Sequence, residues 1–491
     1  MSIFYFFAPE IVISIGLLLL LIVEIIFPRR GLIAFLISLI FLIVSTYFTF
    51  EQLLKMNKEF FQELLKTAQN YEYAKYIIES LRFGPIERLF DLIFLIGTIF
   101  FVMLSYDYYK NKSGGDYYFL IFSALLGSML LPKSENWAVF ILSLEILSFS
   151  LYALVGYKRN LFSYEAATKY FFIGAFSSSF LIIGIAFLYF VSGSLSFENL
   201  FQNYAFRSFF GLLKSKDFLS ILGIAFIIVG LGFKLSAVPF HFWTPDVFEG
   251  SPSPTASYIS TISKAAAFAI VLKLFQGVFS SYPKLWEDLI LWISVFTMIV
   301  GNLAAIRENS IKKLLAFSTI ANAGYALTAI YVGGIEGFKS VILFLFIYTI
   351  MTFGAFSIVQ MVAENDTKIE NLKGLYKKSP FLAISFAIFL LSLAGVPPLA
   401  GFFAKFYIAY AIVNAGDIGL AIWLFLNGII SYYYYLRVVY YVFSDGEKEV
   451  AFGHFPLLIT ALSLVLVIFI GIYPSVIVDF VNGVLNRFIS G

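Results

Sequence analysis

Runs of about twenty apolar residues recur from one end of this chain to the other, and they limit its fold more than any other feature. A hydrocarbon core about 30 Å thick is crossed by about 20 residues of helix, which makes the runs countable. Apolar residues make up 60% of the 491 and charged ones 13%, with a mean hydropathy of +0.90. Soluble domains run at about 45–50% and about 25%. The pattern predicts an all-α polytopic membrane protein, one integral domain without a soluble appendage. Spans are expected at 4–27, 31–50, 89–109, 116–132, 135–157, 165–192, 218–240, 254–279, 285–306, 312–332, 338–363, 380–414, 418–442 and 455–480. That is about fourteen transmembrane helices, with 380–414 a single interrupted span. The first run lacks a basic leader and is too long for a signal-peptide core, so it is expected to be retained.

Basic residues in short loops give the orientation. Arg29-Arg30, Lys110 and Lys112, Lys158-Arg159, Arg307 with Lys312-Lys313, and Lys368 to Lys378 fall on one side. That side is expected to be cytoplasmic, with both termini outside. The polar stretch 51–88 falls outside and is patterned as an amphipathic surface helix.

Lys234, Lys264 and Lys405 stand out against this background, in VGLGFKLSAVPFHFW, SYISTISKAAAFAIVLKLF and LAGVPPLAGFFAKFYIAY. A lysine at the centre of a membrane helix costs about 2.5–3.5 kcal/mol on insertion scales, so such residues face a protein interior or a water path. Two of the three adjoin a helix break. Pro239 follows Lys234, and its missing amide hydrogen frees carbonyls near Leu235, where Lys234 is placed to donate or to organise water. Pro397-Pro398, flanked by Gly395 and Gly401, stops a helix that restarts and carries Lys405; the bland alternative is an interfacial, snorkelling lysine. Lys264 sits mid-span, whereas Lys273 is expected to snorkel and Lys169 to pair with Glu165 at the interface. Glu145, central in FILSLEILSFSLYALVGY, needs a cation to stay ionised, and Lys234 is the expected partner. Glu24 is expected at the interface, and His241 at a helix end.

Lysine suits ion relay energetically. One pK unit is worth about 1.36 kcal/mol, and moving a proton against 100 mV costs about 2.3 kcal/mol. Making or breaking one ion pair is therefore on the scale that pumping requires.

Several functions are excluded or disfavoured. The chain has no cysteine, so no disulfide, thiolate-bound cluster or cysteine-ligated zinc is available. Its two histidines, His241 and His454, argue against haem. Nothing resembles a phosphate-binding glycine loop or a nucleophile with its base, and the net charge of +3 leaves no nucleic-acid footprint. An internal echo is visible: YFFIGAFSSSF and YTIMTFGAFSI follow Glu165/Lys169 and Glu336/Lys339, and Tyr152-Ala153-Leu154 answers Tyr325-Ala326-Leu327. An odd-numbered unit of five helices would place successive copies inverted in the membrane.

At GFKLSAVPFHFWTPDVFEGSPSPTASYISTISKAAAFA, RENSIKKLLAFSTIANAGYAL and LAGVPPLAGFFAKF, the chain resembles the antiporter-like membrane subunits of respiratory complex I, the NADH–quinone oxidoreductase subunit N branch. The resemblance covers nearly the whole chain. Sister subunits usually have Ala-His after the loop proline and a histidine opening helix eight; Val247-Phe248-Glu249-Gly250 and Lys264 stand here instead. Segment 51–88 is longer and more polar than the family pattern. The resemblance implies two inverted five-helix repeats, helices 4–8 and 9–13, each with a broken helix. The corresponding boundaries are 1–115 (three N-terminal helices), 116–280, 285–442 and 443–491 (a C-terminal helix). It also implies that Glu145 and Lys234 form a gating pair, that Lys264 is the central relay and that Lys405 serves the second half-channel. NADH, flavin (FMN), iron–sulfur clusters and the main quinone site are then expected in partner subunits, with none bound by this chain. The partners are other membrane-arm subunits, and the location is the bacterial inner membrane with periplasmic termini. The competing readings are a stand-alone or Mrp-type cation/proton antiporter and a structural spacer with static lysines.

Overall fold

The computed structural model describes residues 3–28, 30–55, 80–109, 114–198, 215–280, 283 and 286–489. Most of segment 51–88, with its expected surface helix, lies outside the described residues, as do Arg29, Lys110 and Lys112. The principal helices are α1 (Ala8–Ile26), α2 (Gly31–Lys55), α3 (Pro85–Tyr109), α4 (Gly115–Leu130), α5 (Trp137–Gly156), α6 (Leu161–Ser192) and α7 (Ser215–Leu235). They continue with α8 (Ser253–Val278), α9 (Glu287–Arg307), α10 (Ile311–Val332), α11 (Gly334–Val362), α12 (Pro380–Ala394) and α13 (Ala400–Asn414). The last are α14 (Ile418–Phe443), α15 (His454–Ile472) and α16 (Ser475–Ile489). Among the described residues, twelve helices are long and apolar enough to cross a membrane, while α4, α12, α13 and most of α16 are shorter apolar helices.

Burial sorts the helices into layers. The apolar windows of α8 and α11 are each 94% buried, against 28% for α1 and 33% for α2. The polar hydroxyls and Lys264 on α8 are thus kept from lipid, while α1 and α2 expose large apolar side chains such as Leu18, Ile25 and Ile40. α11 packs against α3, α8, α10, α13 and α15, which makes it the hub. Small residues permit the closest approaches, as expected where packing rather than water expulsion drives association. A Cβ on Gly127 would lie 2.6 Å from the Leu147 amide nitrogen, and one on Gly301 would lie 2.5 Å from that of Ala321.

Two spans differ from their sequence outlines and a third is interrupted as expected, and proline or a left-handed residue explains each. α7 stops at Leu235, short of the expected 240, where Ser236 takes φ +57° ahead of Pro239. The 380–414 span is two half-helices: α12 ends at Gly395 (φ +94°), and α13 resumes at Ala400 after the proline pair. The expected single span 455–480 is divided at Pro474 into α15 and α16. The two half-helices turn back on each other so tightly that a Cβ on Gly401 would lie 1.8 Å from the Ser392 carbonyl oxygen. Gly401→Ala should therefore destabilise the bundle by about 1–3 kcal/mol, seen as a lower thermal unfolding midpoint in detergent. Gly428→Ala, at a position with nothing within 4 Å of the added Cβ, serves as the control.

Candidate functional site

At the first break, two freed carbonyls find partners close by. The Phe233 carbonyl accepts from the Trp243 indole N–H (3.1 Å) and the Ser236 amide (3.1 Å), and the Gly232 carbonyl from the Ala237 amide (2.9 Å). The indole thus takes the donor role that the sequence offered to Lys234. The Lys234 ammonium points instead to α5, donating to Ser148 Oγ (2.6 Å) and more weakly to the Tyr152 hydroxyl (3.4 Å), with the Tyr152 ring 5.6 Å from Nζ.

Glu145 lies one turn before Ser148 on the same helix and accepts a hydrogen bond from Ser178 on α6. The expected Glu145–Lys234 contact is therefore not made. Ser178 satisfies the carboxylate while Ser148 and Tyr152 satisfy the ammonium, and Ser148, three residues on from Glu145, separates the charges. From Tyr152 the polar line continues to Tyr170, whose ring packs edge-on at 4.8 Å and whose hydroxyl reaches Ser263.

Lys264 follows Ser263 and is 3% exposed. It begins the α-helical turn after a π-helical stretch, Ile259–Ser263, the kind of local widening that recurs at functional sites. Its one hydrogen bond is long, 3.5 Å from Nζ to the Thr319 carbonyl, and it has no ion pair among the described residues. Thr319 also accepts from the Tyr348 hydroxyl on α11 (2.9 Å).

At the second break Lys405 is buried and does not snorkel. From α13 it reaches back to the end of α12, donating to the carbonyls of Leu393 (2.9 Å) and Ala394 (3.1 Å). Its ammonium sits 4.6 Å from the centre of the Tyr325 ring. Tyr152 and Tyr325, the two tyrosines of the internal echo, therefore each lie beside the lysine of a broken helix. Nearby, Asn302 bonds Asn427 and accepts from Tyr434, a wholly buried amide and phenol network.

Other sequence readings sort similarly. Lys169 pairs with Glu165 (2.9 Å) and also with Asp246 (2.7 Å). Lys273 ends against Glu135 (2.8 Å) and the Pro132 carbonyl. Lys312, read as a loop charge, is 1% exposed and bonded to Glu364 (3.2 Å) and the Ser251 carbonyl (3.0 Å). Sequence reasoning missed a second buried assembly altogether. Arg88 pairs with Glu10 (2.6 Å) and Asp91 (2.8 Å), and Lys133 with Asp91 (2.5 Å) and Glu10 (3.0 Å). The signal was the charge triplet Glu87, Arg88 and Asp91 opening an apolar run; placing the helix start at 89 hid it. Among the described residues no group of three or more His, Cys, Asp or Glu is placed to hold a metal ion.

Fold and site together define a polytopic, antiporter-like membrane protein with a half-buried lysine at the first helix break and buried lysines at the second and between them. The chain belongs to the family described as NADH:quinone oxidoreductase/Mrp antiporter, transmembrane, which it matches over residues 134–431. It is 40% identical to NADH-quinone oxidoreductase subunit N 1 of Thermodesulfovibrio yellowstonii over 72% of this chain and 75% of that one. It is 34% identical to subunit N 1 of Aquifex aeolicus over 97% of this chain and 98% of the relative. A chain of respiratory complex I from Thermus thermophilus, solved with bound aureothin, superposes with a TM-score of 0.78 at 29% identity, covering 96% of this chain and 98% of that one.

The four-charge assembly is balanced, so removing one member strands a charge. Asp91→Asn should cost about 3–5 kcal/mol, measured as loss of thermal stability of the purified protein. Adding Lys133→Gln should recover part of that loss, a coupling that a double-mutant cycle reads directly.

Proposed function

We propose that this chain is the proton-translocating, antiporter-like membrane subunit of a bacterial NADH-quinone oxidoreductase, driven by quinone reduction elsewhere in the complex. The observation that carries the reading is the set of amines at the breaks and between them, Lys234 half-buried and Lys264 and Lys405 buried, which bond to hydroxyls and carbonyls and form no ion pairs among the described residues. A static spacer would be expected to neutralise such charges permanently, as the Arg88 assembly does. Relatives named subunit N, matched over nearly the full length, favour this reading over a stand-alone or Mrp-type antiporter.

In this proposal Lys234 alternates between the Ser148/Tyr152 site and Glu145. A carboxylate beside an amine favours its charged form, and neutral hydroxyls supply no such charge. Lys264, which has no ion pair among the described residues, relays between the halves, and Lys405 exchanges protons at the second break, where it donates to two helix-end carbonyls. Two inverted repeats, helices 4–8 and 9–13 with the interrupted 380–414 span counted once (α4–α8 and α9–α14), account for the matching Lys–Tyr arrangements at the two breaks. Boundaries at 1–115, 116–280, 285–442 and 443–491 follow from that symmetry. NADH, FMN, iron–sulfur clusters and quinone are assigned to partner subunits, and other membrane-arm subunits are the neighbours. The location is the inner membrane, with both termini on the periplasmic side.

The test uses the assembled complex in proteoliposomes. Lys234→Met and Glu145→Gln should each cut proton pumping at least fivefold, with the subunit complement intact. Unchanged pumping per electron in both would refute the assignment. Purification distinguishes the rival: the proposed subunit comes out with its partners, whereas a self-contained antiporter exchanges ions alone in liposomes.

A further inference from the structure

We propose that Glu364 is the carboxylate at which a proton from the aqueous side is loaded on its way to Lys264. The inference rests on the reading of Lys264 as a proton relay and adds a residue outside the membrane-buried lysine line. Glu364 stands just past the end of α11, in the loop AENDTKIEN, where nothing in the sequence sets it apart.

Two adjoining polar cavities meet at this side chain. One, of about 810 Å³, runs beside Asp107, Tyr157 and Arg159; the other, of about 520 Å³, runs beside Lys169, Asp246 and Glu249. They share Lys158, Asn160, Glu364 and Asn365, so Glu364 is reached from both. The cavities open on the face whose loops carry Lys158, Arg159 and Lys313, the side read as cytoplasmic, from which a pump takes its protons.

Glu364 also joins this vestibule to the interior. Its Oε1 accepts from the Tyr108 hydroxyl (3.2 Å) and lies 3.5 Å from the partly exposed Lys158 ammonium. Its Oε2 lies 3.2 Å from the buried Lys312 ammonium and accepts from both the amide (3.2 Å) and the hydroxyl of Ser253, the first residue of α8. One carboxylate is thus held between a wet lysine and a dry one, at the mouth of the most buried polar helix.

From Ser253 the hydroxyls continue inward on one face of α8. Ser257, Ser260 with Thr261, and then Lys264 follow at intervals of three or four residues, and all three hydroxyl residues are at most 1% exposed. Eleven residues separate Ser253 from Lys264, about 16 Å of helix rise. Each hydroxyl now donates to a carbonyl of its own helix: Ser257 to Pro254 (2.6 Å), Ser260 to Ser257 (2.8 Å) and Thr261 to Ser257 (2.6 Å). Their oxygen lone pairs remain available to accept. The π-helical stretch falls across the inner half of this stripe.

The transfer balances simply. A hydronium ion in the vestibule gives its proton to the Glu364 carboxylate, weakening the pair with Lys312. The carboxylic acid then passes a proton along hydroxyls and water to the neutral Lys264 amine, and the carboxylate is restored. One proton enters and one arrives.

The experiment compares Glu364→Gln, Glu364→Asp and Lys264→Met in the assembled complex, reading turnover and proton pumping in proteoliposomes. Glu364→Gln should slow coupled turnover at least fivefold with subunits intact, and Glu364→Asp should restore most of it. Because the glutamine also unpairs Lys312, the double variant Glu364→Gln/Lys312→Gln, which removes the stranded charge, should stay slow, and rescue there would show a structural role and overturn the proposal. Lys264→Met tests the underlying reading separately, because normal pumping there ends the relay whatever Glu364 does. If Lys264→Met fails to pump while Glu364→Gln pumps at the parental rate, the loading role is overturned and the relay stands. A second measurement is independent of the Glu364 variants' folding. The chain is free of cysteine, so Asn365→Cys places a unique thiol of this subunit in the vestibule. A bulky cationic methanethiosulfonate attached there should slow turnover at least threefold relative to the identically treated parent complex. Full labelling with unchanged turnover overturns the proposal.

Discussion

A helix that stops inside a membrane leaves carbonyls which nothing in the lipid will satisfy, and the organisation of this protein follows from how its two broken helices answer that demand. At the first break the answer comes from the chain itself, through the Trp243 indole and the Ser236 and Ala237 amides. At the second it comes partly from a charged side chain, Lys405, which donates to the last two carbonyls of α12. The difference has a chemical consequence. Lys234 is released from backbone service and donates to hydroxyls of α5, whereas Lys405 is tied to the carbonyls of the preceding half-helix.

Around these breaks the packing keeps polar groups off the lipid. The most buried helices, α8 and α11, also carry many of the hydroxyls, and the surrounding helices present apolar faces outward. Lys264 shows what this shielding permits: an amine with one long hydrogen bond and no counter-ion among the described residues, tolerable only where water or rearrangement can reach it. The Glu10–Arg88–Asp91–Lys133 assembly is the opposite solution, four charges that neutralise each other among the N-terminal helices. The two solutions in one chain differ in closure: the four-charge network satisfies itself, whereas Lys264 is left with a single long contact.

Much of this was legible in the sequence, and the particulars explain why. Apolar runs reported the spans, and Pro239, Pro397-Pro398 and the lone intramembrane lysines reported the breaks, since proline chemistry and the cost of burying charge act locally. What went unseen depends on partners distant along the chain. Glu10 and Arg88 are separated by 78 residues, and Lys312 meets Glu364 across another helix hairpin. Glu145 and Lys234 were matched on charge alone, and intervening hydroxyls on α5 and α6 kept them apart.

The sequence by itself determined that this chain lives in a bilayer and where its helices break, because hydrophobic length and missing amide hydrogens are properties of the residues. Only the tertiary structure decided what each buried charge touches. That choice is made between neighbours several helices apart, where an ångström of approach settles whether a lysine meets a carboxylate, a hydroxyl or a carbonyl.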